Sequence, residues 1–81
     1  MDNLTLEILL NLLKERQYRE LRAAIAQENE ADIAALVEEL EQDAAITVFR
    51  MLPKELAAEV FSNLSSDMQK LIIDSFALTA S

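Results

Sequence analysis

Residues spaced twelve apart repeat their type through the second half of this chain, and that period limits what it can build. Leu36, Val48, Val60 and Ile72 form one apolar series, Val37, Phe49, Phe61 and Ile73 a second, and Leu40, Leu52, Leu64 and Phe76 a third. Three columns in register across four units exceed what an alanine-rich helix produces by chance, so the repeat is read before any single motif. Between the units lie the breaks "EQD", "PKE" and "SSD". They read as helix starts. Pro53, the lone proline, suits a first helical turn, Ser65 can cap, and Asp43, Glu55 and Asp67 favour the positive end of a helix. Corners every twelve residues rule out a coiled coil. The helices between them, about nine residues each, are too short to stand alone and must pack on their neighbours. The predicted fold is all-α: a right-angled stack of short helices, in effect a small α-solenoid over residues 29–81.

The first 28 residues carry no such period, and two longer helices are expected there. Asp2 or Asn3 caps the first, which runs to about Lys14 with Leu6, Leu9, Leu10 and Leu13 at i, i+3, i+4, i+7. "KERQ" (14–17) is a polar junction. The second helix then sets Tyr18, Leu21, Ala24 and Ile25 on one face and Arg19 and Arg22 on the other. The pattern breaks near "QENE", where Asn29 is the expected cap of the next helix. Tyr18, Phe49, Phe61 and Phe76 are all expected in the core. With 81 residues the chain forms a single domain, residues 1–81.

Composition removes most functions. There is no Gly, Cys, His or Trp. Disulfides, thiolate or imidazole metal sites, Cys- or His-based catalysis and Gly-rich phosphate loops are therefore excluded. Net charge is −8, and its placement is uneven. Residues 1–22 balance Asp2, Glu7, Glu15 and Glu20 against Lys14, Arg16, Arg19 and Arg22, whereas the window 28–43 holds seven acids and no base. Nucleic acid is not an expected partner, since binding it needs Lys and Arg to neutralise phosphates. An anionic membrane surface repels the domain for the same reason. No apolar run approaches the roughly 20 residues of a membrane span. "LTLEILLNLL" (4–13) is no signal peptide, because Asp2 and Glu7 stand where positive charge belongs.

The remaining chemistry rests on carboxylates. Glu38/Glu39 and Glu41/Asp43 lie in the most polar window, where no burial raises a carboxyl's pKa for acid–base work, so they read as a solvated face. Ser62, Ser65 and Ser66 have no base nearby in sequence. The expectation is that the chain is not an enzyme. Hard-cation binding is left. No D-x-D-x-D-G loop is present, but Mg²⁺ keeps several waters and needs only one or two carboxylates from each surface it joins. A weak site shared with another domain fits.

The motifs themselves carry a family resemblance. "YRELRAAIAQENEADIAALVEELEQDAAITVFRMLPKELAAEVFSNLSSDMQKLII" contains a short second helix ending in Leu21–Arg22, a "D-I-A-x-L-x-x-E-L" segment and a unit "L-P-x-x-x-A-A-E-V-F-x-x-L" followed by Gln69. The segment supplies Asp32, Ile33, Leu36, Glu39 and Leu40; the unit supplies Leu52, Pro53, Ala57, Ala58, Glu59, Val60 and Leu64. The pattern resembles the N-terminal cytoplasmic domain of MgtE-family magnesium transporters over essentially the whole chain. It departs at "NEAD" (29–32), where the family often has "HPAD".

The resemblance implies a right-handed superhelix of short helices on the cytoplasmic side of the cell membrane, ahead of CBS domains and a membrane-embedded pore. High intracellular Mg²⁺ would bridge acids of this domain and the CBS domains and close the pore. Glu59, inside "AAEV", is the metal-ligand position it marks. The family domain continues with further repeats, so this chain is read as a truncated form that binds Mg²⁺ weakly. Its last helix, "LIIDSFAL", is expected to leave an apolar end covered by another copy in a homodimer. The competing reading is a protein-interaction repeat module without a metal role, similar to the helical region of the flagellar motor-switch protein FliG.

Overall fold

A computed structural model describes residues 2–80, and side chains up to residue 77. Its helices are α1 (Asn3–Lys14), α2 (Tyr18–Ile25), α3 (Glu30–Glu39), α4 (Gln42–Met51), α5 (Lys54–Ser62) and α6 (Ser66–Ala80). No strand occurs among the described residues. The starts of α3, α4, α5 and α6 fall at 30, 42, 54 and 66, so the period of the sequence is the period of the helices.

Local chemistry accounts for the starts and stops. The Asp2 carboxylate accepts the Thr5 N–H at 2.7 Å and opens α1, while the Asn29 side chain accepts the Asp32 N–H at 2.8 Å and opens α3. The Ser65 hydroxyl accepts the Met68 N–H at 3.2 Å at the head of α6. Two corners are built from paired extended residues: Leu40 (ψ 156°) with Glu41 (ψ 167°), and Leu52 (ψ 141°) with Pro53 (ψ 150°). At the second, Pro53 itself excludes a helical Leu52 by steric clash with its ring. Between α1 and α2 the chain turns through Arg16 at φ 59°, a left-handed conformation costly for a residue with a Cβ. The Gln17 N–H reaches Leu12 O (2.8 Å) and the Arg16 N–H reaches Leu13 O (3.1 Å), the two bonds of a Schellman close.

Packing follows an alternating rule. α1 lies on α2, α3 on both α4 and α5, and α4 meets α6. Helices two apart in sequence thus come together, as corners between short helices require. Leu36, Val48, Val60 and Ile72 are each at most 1 % exposed, so this column is the spine of the core. Leu9 and Leu21 close it from the α1–α2 side. The radius of gyration, 12.0 Å, is that of a compact chain of this length.

Three expectations change. Of the two N-terminal helices only α1 is long; α2 has eight residues, bounded by the Schellman close and the turn after Ile25. α6 runs for 15 residues, because after Phe76 the sequence offers helix formers and no proline or cap. Phe76 therefore sits inside a helix, not at a corner like Leu40, Leu52 and Leu64. The other two columns accordingly fray at their last members, with Ile73 56 % and Phe76 44 % exposed. Phe76 still meets Phe49 edge-on at 6.3 Å and lies under the Arg50 guanidinium at 5.3 Å. Tyr18, placed in the core by the helix-two pattern, is 42 % exposed at the first position of α2, beside the turn.

Candidate functional site

The unit that carries Glu59 divides cleanly into two faces. On α5, Val60 is buried and Leu56 and Ala57 are half-buried, while Glu55, Ala58, Glu59 and Ser62 face solvent at i, i+3, i+4, i+7. The Glu59 backbone carbonyl accepts the Ser62 hydroxyl and the Asn63 side-chain amide, each at 2.9 Å. These bonds satisfy a carbonyl that the end of the helix leaves free. Its carboxylate is exposed. Glu59 is thus anchored by its backbone and presents its charge outward.

Most other residues of the motif have structural work. Leu21, Ile33, Leu36, Leu52, Val60 and Leu64 are core. Pro53 makes the corner. Gln69 donates its side-chain amide to Phe61 O at 2.8 Å, tying α6 to the last turn of α5. Ala58 and Glu39 are exposed.

The acid-rich window is not uniform. Glu38 reaches from α3 to the α5–α6 corner, where its two carboxylate oxygens accept the Ser65 N–H at 2.7 Å and the Ser65 hydroxyl at 3.2 Å. A negative group there meets the positive end of α6. Glu38 is exposed, as expected of a solvated face, and it also clasps a corner 27 residues away. Nothing local marks this, since the contact exists only once α3 and α5 pack. Glu39, Glu41 and Asp43 are exposed. Among the described residues, no three acids gather into a group that would hold a metal ion.

Sequence reasoning also missed a groove of about 450 Å³ between the end of α1 and the α3–α4 corner. Leu10, Leu13 and Leu40 lie along it, with Lys14 and Arg16 from one side and Glu41 and Asp43 from the other. A smaller apolar cavity, about 40 Å³ under Pro53 and Leu56, is far below the size of a substrate site.

Comparison with known families bears directly on the α3–α6 repeat. Residues 28–80 match the MgtE intracellular N domain. The chain belongs to that family. No curated protein and no solved structure matches it. The match spans well over half of the chain and takes in all of α3 to α6, Glu59 included. α1 and α2, with Leu21 and Arg22, lie outside it, so the family span is shorter than the motif reading implied. Inside it fall eleven acids against Arg50, Lys54 and Lys70, so this MgtE N-domain segment carries the whole net charge of −8. No helix among the described residues is long and apolar enough to cross a membrane.

Proposed function

We propose that this MgtE N domain is the regulatory piece of a magnesium transporter, sensing intracellular Mg²⁺ through acids it shares with CBS domains of the same parent protein and so controlling a membrane pore. The observation that carries the reading is the family match over the repeat that holds Glu59. The arrangement of charge supports it. Exposed carboxylates on a rigid stack repel one another and the like-charged surfaces they face, and a hard cation between two such surfaces relieves that repulsion. Mg²⁺ bound through waters needs only one or two carboxylates from each side, so a partner surface would complete the site. The domain then works on the cytoplasmic side of the membrane, without catalysis, and the chain alone binds Mg²⁺ weakly.

A second reading, a protein-interaction module of the FliG kind with no metal role, is favoured by one observation: no three acids converge among the described residues. The experiment that separates them uses the parent protein's whole cytoplasmic region. Small-angle scattering during a Mg²⁺ titration should show compaction that Glu59→Ala weakens. Glu59 is exposed, so the variant folds as the parent does. An unchanged Mg²⁺ response removes Glu59 from the site, and no compaction at all favours the interaction module.

A further inference from the structure

Glu59 stands at the wrong end of its helix for a carboxylate. It lies in the last turn of α5, where the helix dipole is negative, and that turn holds no base. Asp2 and Glu38, by contrast, each meet the positive end of a helix. Glu55, one turn back on the same exposed face, adds a second negative charge beside Glu59. At i+3 and i+4, where a lysine or arginine would pair with the carboxylate along the helix, the sequence has Ser62 and Asn63. Both are neutral, and both spend their donors on the backbone. The Ser62 hydroxyl and the Asn63 side-chain amide each donate to the Glu59 carbonyl at 2.9 Å.

We infer that Ser62 and Asn63 are positioning residues for the Glu59 cation site. They secure the last turn of α5 through the Glu59 carbonyl, and they fill the two places from which a base would neutralise the carboxylate. The charge stays available to an ion. The helix end then works in the ion's favour, because a divalent cation drawn to Glu59 also meets the negative end of the α5 dipole. The free domain bears the repulsion as a small loss of stability, and bound Mg²⁺ relieves it. The inference rests on the proposed role of Glu59 and adds the two residues that set its electrostatic surroundings.

Stability and Mg²⁺ response, measured on the same variants, test this. In the 81-residue chain without Mg²⁺, Glu59→Gln should raise the melting temperature by a few degrees at low salt, and the gain should shrink as salt screens the charges. Asn63→Lys puts a cation four residues after Glu59, the favourable order for an i, i+4 pair, and should raise it too. Asn63→Ala loses the anchoring bond and should lower it. In the whole cytoplasmic region both Asn63 variants should nevertheless need more Mg²⁺ for half-maximal compaction, Asn63→Lys about twofold or more. A merely structural Asn63 would move stability and Mg²⁺ midpoint together. If Glu59→Ala leaves the Mg²⁺ response intact, the site itself falls and the inference with it. If Glu59→Ala weakens the response but Asn63→Lys leaves the midpoint unmoved, or if Glu59→Gln lowers the melting temperature, the inference alone is overturned.

Discussion

Among the described residues, Arg16 is the one whose backbone works against its own side chain. At φ 59° it carries the left-handed penalty that glycine escapes, roughly 1–2 kcal/mol. Glycine also loosens the unfolded chain, which returns about 0.5–1 kcal/mol of that gain. Arg16→Gly should therefore stabilise the fold by up to about 1 kcal/mol, seen as a rise of a few degrees in thermal unfolding. Asp2 carries a different signature. The Thr5 N–H, helped by the Thr5 side chain, holds its carboxyl below the ordinary value of 3.8. A group whose folded pKa is depressed contributes stability above its unfolded pKa and loses it as pH falls through the folded one. The start of α1 should fray below about pH 4. The Thr5 amide shift will follow that transition in the parent chain and stay flat in Asp2→Asn, which keeps the cap without the charge.

At the scale of helices, α6 is held by polar bonds as much as by apolar contact. Glu38 grips Ser65 from α3, Gln69 grips Phe61 O, and among the described residues Ile72 is the only fully buried side chain that α6 contributes. Glu38→Ala removes the acceptor of the Ser65 N–H in an exposed setting and should cost at most about 1 kcal/mol overall. Its effect should be concentrated in α6, as faster hydrogen exchange from Ser65 through Gln69 with little change in α3. Ile72→Ala should cost about 2–5 kcal/mol, a large share of a small domain's total, and release α6 before the rest unfolds. These elements show which features the sequence disclosed. The helix starts at 30, 42, 54 and 66 were legible because caps, proline and apolar columns all repeat with one phase. The Asp2 and Asn29 caps were legible because capping is a contact over three residues. The Glu38 clasp and the groove were not, since both join segments far apart in sequence and depend on packing. Phe76 misled because the column pattern continues past the point where corner chemistry stops. Glu59 is singled out by its motif alone, and the fold adds that its carboxylate is exposed on the same face as Glu55, Ala58 and Ser62.

For the whole molecule, the decisive feature is that each repeated helix starts twelve residues after the last and that Leu36, Val48, Val60 and Ile72 stay sealed through that advance. Among the described residues the main contacts join helices one or two apart, so the repeat is built largely from near neighbours in sequence. Contacts of that kind do not by themselves fix the number of units. A tandem duplication of Pro53–Leu64 would bring its own corner proline, its own column residue and a second outward acid at the Glu59 position. Growth by copying whole units is thus open to this chain, while an insertion of any other length would break the column and turn every later side chain away from the core. In such a fold, length changes are inherited in steps of twelve.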